Sequence, residues 1–332
     1  MSFARPLTAM RSPIGRAAAG VVGVTCVALI VRGIGTHSLA RVLVGAAALF
    51  PAVLALEGAQ VACTTLAMRS LYGPEVPRAQ LLRAGIIGYA VMGLFPAGRA
   101  VAEVARASLL TRWVGAARAT AAAARIQVAA LFANALISAI AAAAVALKAP
   151  APAWLPIAIA GNAAAALAIG ASLSLAARRR PGAWLGRVVP KARGFGANLD
   201  GVLEAERGLP ATAMAWEFAG RLCQVAQNAV LLACVGGAPG LGSALTSEGI
   251  HLVGAAVGDL IPGQLGVTEG HYTLAASALG LPVAGAVAIA LLAHFSQLTF
   301  VLAGSLVSAA WPVPAPPVPG RGEAASSAPV QG

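Results

Sequence analysis

The chain has 332 residues, 59% of them hydrophobic and only 10% charged. A soluble domain is about 25% charged, because a buried core needs a polar exterior around it. This composition excludes a soluble enzyme, a disordered chain and a nucleic-acid-binding domain, and it defines an integral membrane protein. The net charge of +12 does not point to nucleic acid. Its basic residues cluster between apolar runs, as the cytoplasmic flanks of membrane spans do.

In chain order, a basic segment at 1–16 with Arg5, Arg11 and Arg16 precedes six predicted spans. These are 17–34, 42–68, 126–147, 153–177, 211–235 and 283–309, each close to the ~20 apolar residues that a crossing helix needs. The first also has the form of a signal peptide, with Ser38-Leu39-Ala40 as its cleavage site. The later charges fit better if it is kept as an anchor. With the N-terminus inside, Arg69, Arg78 and Arg83, then Arg112, Arg118 and Arg125, then the run from Arg178 to Arg193 fall on the same side. Arg32, Arg41 and Lys148 fall on the other. This bias predicts a protein of the cytoplasmic (inner) membrane with both termini cytoplasmic.

Stretches 84–111 and 242–281 are apolar but do not read as plain spans. Each has a proline near its middle, Pro96 and Pro262, the second followed by Gly263 and Gly266. Proline interrupts the helical ladder, and in lipid the freed backbone groups must be met by protein or a wet cavity. Both stretches are predicted to be re-entrant hairpins with hairpin breaks at these residues, the first opening to the cytoplasm and the second to the outside. Residues 183–208 place Phe195, Leu199, Val202 and Leu203 at helical spacing among charges. That pattern suits an interfacial helix, with a plain cytoplasmic loop as the alternative. The Pro-rich tail at 311–332 is expected to be disordered.

The two broken stretches resemble each other. Gly88–Glu103 and Gly254–Glu269 match at seven of 16 positions at a constant offset of 166 residues, including the proline and the glutamate. The same shift carries span 42–68 onto 208–234, and span 126–147 onto 292–313. The predicted fold class is an all-α polytopic membrane protein. It has about six spanning helices and two re-entrant hairpins related by an inverted repeat, with halves 42–147 and 208–309 inside a domain at 17–310.

Ionisable groups inside a membrane are costly and normally face a cavity or a partner. Glu57 lies in the second span and His294 in the last; the hairpins carry Arg99, Glu103 and Arg106, then Glu248, His251, Asp259, Glu269 and His271. These suit a substrate-binding pocket for a lipid headgroup, Arg99 and Arg106 holding phosphate while Glu103 and Glu269 receive a cationic part. In the alternative, Glu103 and Arg106 neutralise each other and hold the hairpin together. Glu217 and Arg221, one turn apart, are expected to pair structurally. Cys26, Cys63, Cys223 and Cys234 have no metal or redox spacing and read as packing residues. No metalloprotease, serine-hydrolase or Walker motif occurs. The sequence therefore predicts no catalytic residue, metal or cofactor, and any energy input would come from an ion gradient or the membrane potential.

The run Leu260-Ile-Pro-Gly-Gln-Leu-Gly-Val-Thr-Glu269 resembles a signature of the lysylphosphatidylglycerol synthase transmembrane (flippase-like) family, as does Pro96 with Ala102-Glu103-Val104-Ala105-Arg106. The similarity extends over about 20–310. Ala102 stands where the family usually has glycine, and His294 stands in place of an arginine common in its last helix. Full-length members join this module to a soluble aminoacyl-transferase domain. The resemblance thus implies a lipid-handling module without that synthetic activity, partnered by membrane phospholipid or another polar-headed lipid. A separate lipid-synthesising enzyme and self-association are further implied partners. The leading expectation is a lipid flippase or translocase, not an enzyme. A membrane-embedded lipid-modifying transferase and an ion-coupled transporter of a small solute are the alternatives.

Overall fold

A computed structural model describes residues 44–95, 97–147, 151–259, 264 and 266–311. The predicted first span, the tail from 312 onward, Pro96, Pro262 and Gly263 lie outside the described residues. Within them the protein is all α-helical, with no strand. In order, the helices are α1 (Phe50–Tyr72), α2 (Arg78–Leu94), α3 (Gly98–Ala146), α4 (Trp154–Arg178), α5 (Pro181–Val188), α6 (Arg193–Ala205), α7 (Ala211–Cys234), α8 (Leu241–Gly258), α9 (Val267–Leu274) and α10 (Val283–Ala310). Two single 3₁₀ turns, Pro190–Ala192 and Ala276–Leu279, fill connections.

Four of these, α1, α3, α4 and α10, are long and apolar enough to cross a membrane. Helix α7 is long enough at 24 residues, but Glu217, Arg221, Gln227 and Asn228 are buried on it. Its polar face is turned into the protein, which lowers its mean hydropathy. Helix α1 begins at a proline in its first turn and ends at Gly73, whose left-handed φ of 82° returns its N–H to the Arg69 carbonyl.

Both broken stretches are helix–break–helix units. In the first, α2 ends at extended Phe95, and α3 starts after Ala97, a non-glycine residue at φ 53°. In the second, α8 ends at Gly258 and α9 starts after Gly266 at φ 80°. The two breaks meet: the Ala97 N–H donates to the Asp259 carbonyl at 2.7 Å. Helix α3 is itself interrupted at Gly115 (φ 77°, ψ 160°), so the limb 98–114 and the span 116–146 are distinct segments. The sequence prediction of a span starting at 126 misses this longer helix, because Arg118 and Arg125 obscure its first turns.

The segment at 183–208 forms α5 and α6, packed on each other, with α6 also against α3 and α4. Leu199 is buried and Phe195, Val202 and Leu203 are half-buried. This is the predicted amphipathic pattern, realised against protein. The Asp200 carboxylate on α6 accepts from the Gly182 and Ala183 N–H groups at 2.7 and 2.8 Å, capping α5.

Two apolar clusters bracket the bundle. One gathers Val53, Val145, Ile159, Leu231, Ile250 and Ile289. The other gathers Met68, Tyr72, Leu81, Leu110, Ile126 and Ala213. The first uses the start of α1 and the end of α7, and the second the end of α1 and the start of α7, so they lie at opposite ends with a polar layer between them. Helices α2 and α10 approach so closely that a Cβ on Gly304 would lie 2.5 Å from Ala90 Cβ and 2.9 Å from the Ile86 carbonyl oxygen. Small residues permit such backbone contact between membrane helices. Gly304→Ala is expected to cost about 1–3 kcal/mol through overpacking, read as a lower unfolding temperature in detergent; an unchanged temperature would show that the interface yields freely.

Candidate functional site

The polar layer encloses a cavity of about 100 Å³, several times what one buried water needs. Its wall is built by α1 (Gln60, Thr64), α2 (Tyr89), α3 (Arg99, Glu103, Arg106, Gln127), α7 (Glu217, Arg221, Gln224), α8 (His251), the second break (Asp259, Gln264) and α10 (Gln297). The broken helices therefore aim their charges into the space between the apolar ends. This follows from the sequence: Arg99, Glu103 and Arg106 recur every three to four residues and share one face of the limb 98–114.

Each guanidinium meets a different environment. Arg106 and Glu103 form a buried ion pair, and Arg106 packs so tightly on Gly88 that any side chain there would collide with it. Arg221 bonds to Gln224, and its Nη1 lies 3.9 Å from Oε1 of Glu248, a carboxylate with no exposed surface. Arg99 is half-buried and interacts electrostatically with Arg221, Asp259, Glu217 and Glu248. Three buried carboxylate oxygens accept no hydrogen bond: Glu103 Oε2, Glu217 Oε1 and Glu248 Oε1.

Beside the cavity, Glu57 is buried and ties four helices together. It accepts from Tyr89 on α2, from Gln227 Nε2 on α7 at 2.5 Å and from Ser296 Oγ on α10 at 3.3 Å. A second network joins Glu248 to Asn228 Nδ2 at 2.9 Å, Asn228 Oδ1 to Ser247 at 2.7 Å, and Ser247 to the Tyr272 hydroxyl at 2.9 Å.

Of the predicted site residues, Arg99, Glu103, Arg106 and Asp259 come together in the cavity wall. Glu269 does not join them. Its Oε2 accepts from the Gly266 N–H at 2.8 Å, capping α9, and its Oε1 lies 3.3 Å from His294 Nδ1. His271 contacts the Val267 carbonyl at 2.8 Å. The ion pair between Glu103 and Arg106, one of two alternatives from sequence, is present. Glu217 and Arg221 interact electrostatically without the expected direct ion pair: Arg221 turns to Gln224 and Glu248, and both Glu217 and Arg221 face the cavity. Sequence reasoning missed the glutamines at 60, 127, 224, 264 and 297. A signal existed, since uncharged polar residues within apolar spans also need a wet or paired environment.

A wider groove of about 340 Å³ lies at the molecule's other charged region, between Gly73, Arg118, Arg125 and Arg207. Its charges are largely paired: Arg118 bonds to Glu75 at 3.1 Å, and Arg125 to Glu206. The Glu75 carboxyl is held below the usual carboxylate range, chiefly by its own backbone N–H and then by Arg118. Among the described residues, no cluster of His, Cys, Asp and Glu is arranged to hold a metal ion.

A bundle of apolar helices around a charged, mid-depth cavity defines an integral membrane protein with a buried polar site. The chain belongs to the family described as the Lysylphosphatidylglycerol synthase TM region, whose sequence profile matches residues 16–304. No curated protein and no solved structure matches it. The family assigns the chain a membrane role related to lipids.

Proposed function

We propose that this protein moves a polar-headed lipid between the leaflets of the cytoplasmic membrane, as a flippase or translocase and not as an enzyme. The observation that carries this reading is the cavity, in which three arginines and three acidic residues face one space between two apolar layers. Guanidinium groups suit phosphate oxygens, and the carboxylates suit a cationic headgroup part or its hydroxyls. The two helix–break–helix units serve as re-entrant hairpins meeting at mid-membrane, in an inverted repeat. Supporting that repeat, shifting α1, α2 and the two segments of α3 by 166 residues superposes them in sequence on α7, α8, the α9 region and α10. The packing is also reciprocal, α2 resting on α10 and α8 on α3. The lipid's synthesis falls to a separate enzyme.

The test is leaflet transfer of labelled lipids in proteoliposomes containing the whole chain. The panel is lysylphosphatidylglycerol, phosphatidylglycerol and a polyprenyl-phosphate lipid. The wild type is expected to transfer at least one of them, and Arg99→Gln to slow it by about tenfold or more, the loss of one charge-assisted contact. Absence of transfer across the panel, or equal rates in both proteins, would overturn the reading.

A further inference from the structure

The cavity's charges do not balance. Its wall holds three guanidiniums, Arg99, Arg106 and Arg221, and three acids, Glu103, Glu217 and Asp259. Glu248 adds a fourth carboxylate from behind Arg221. An arginine keeps its proton in a protein, so the positive side of this ledger is fixed and only the negative side can vary. Glu103 pairs with Arg106 and Glu248 faces Arg221, whereas Asp259 and Glu217 interact with Arg99 only through its field. Of these two, Glu217 is the buried one. Glu217 is 8% exposed and lines the cavity, its Oε1 accepts no hydrogen bond, and its carboxyl interacts with the Thr64 side chain.

We infer that Glu217 is a proton-binding site coupled to the ligand: a monoanionic phosphodiester headgroup enters the cavity together with one proton, which Glu217 takes up. This rests on the lipid reading of the cavity and extends it to the ion that moves with the lipid. An entering phosphodiester competes with Glu217 for the same guanidiniums, and an unpaired carboxylate at this depth discharges by protonation. The reaction adds a proton to a carboxylate oxygen and breaks no covalent bond. The groups facing Glu217 are Arg221 on its own helix, Glu103 and Arg106 on α3, and the Cys63 thiol on α1. Arg99 also acts on it from α3, and Glu248 and His251 share the cavity region from α8. Glu217 is the buried acid of the cavity wall that forms no ion pair, since Glu103 pairs with Arg106 and Asp259 is half-exposed. Its charge is therefore the one that a ligand can replace at least cost.

The sign of the coupling follows from linkage. If the ligand-bound form holds one more proton than the free form, affinity rises as pH falls, by up to about tenfold per pH unit. The experiment measures binding of short-chain phosphatidylglycerol to the purified whole protein in detergent across a range of pH. A parallel arm uses glycerophosphoglycerol, the same headgroup without its chains. Wild type is expected to show the one-proton slope, and Glu217→Gln, which carries a permanently neutral side chain of the same shape, a flat profile. Glu75→Gln, in the loop before α2, is expected to keep the wild-type slope. Each variant is first checked for a single monodisperse species.

A flat wild-type profile with binding intact, or a slope retained in Glu217→Gln, would overturn the inference while leaving the lipid reading standing. Binding of the chain-free headgroup as tightly as the lipid, with the slope present, would support the proton site and overturn the lipid as its natural source. Absence of binding in both arms would remove the phosphodiester reading and the coupling with it.

Discussion

Glu57→Ala is expected to destabilise the bundle by about 3–5 kcal/mol, because it strands buried hydroxyls with nothing to accept their protons. Tyr89 and Ser296 both donate to this carboxylate, and Ser296 is fully buried. Gln227 is partly protected, as its Nε2 also reaches the Val53 carbonyl at 3.1 Å. The contacts come from α2, α7 and α10 onto α1, so the loss is felt across four helices. Glu57→Gln keeps one carbonyl acceptor and should cost roughly a third as much. Thermal unfolding in detergent, followed by the loss of the monodisperse peak, separates the two. Equal shifts for Ala and Gln would show that the carboxylate's bonds carry no weight.

Arg106→Met is expected to cost a similar ~3–5 kcal/mol, the usual consequence of stripping one partner from a buried ion pair. Glu103 would remain buried, at 8% exposure, with no cation of its own. The diagnostic variant is the double change Glu103→Gln/Arg106→Met. Removing both charges removes the penalty of the orphan, so the double variant should recover more than half of the lost stability. Leaflet transfer should not recover with it, because the cavity has lost a guanidinium. If the single and double variants unfold at the same temperature, the pair is not the source of the stability.

The fold was legible in the sequence wherever hydrophobic run length decides structure. Spans at 153–177 and 211–235 appear almost unshifted as Trp154–Arg178 and Ala211–Cys234. The breaks were legible too, because proline and glycine in an apolar run have few explanations. The union of the limb 98–114 with the following span into one long interrupted helix was not. Gly115 interrupts it by a positive φ, which no neighbouring residue announces. Within the site, the cluster at 99, 103 and 106 was readable from helical spacing alone. Which glutamate would be left without a partner depends instead on how α7 turns against α8: Arg221 reaches away from Glu217 to Glu248, a contact spanning 27 residues. Glu269 illustrates the converse. A motif position that looks functional in sequence also meets a local need, accepting from the N–H of Gly266, which caps α9.

The hydrogen bond from Ala97 to the Asp259 carbonyl has a mechanical consequence. It is a 2.7 Å backbone bond joining the two helix breaks, beside the cavity that Asp259 lines. Pulling the breaks apart would forfeit it, at about 1 kcal/mol net, whereas displacing them as a pair keeps it. The breaks therefore behave as a single rivet through the middle of the bundle. A movement that widened the cavity would keep this bond only by shifting the neighbouring helices about the paired breaks.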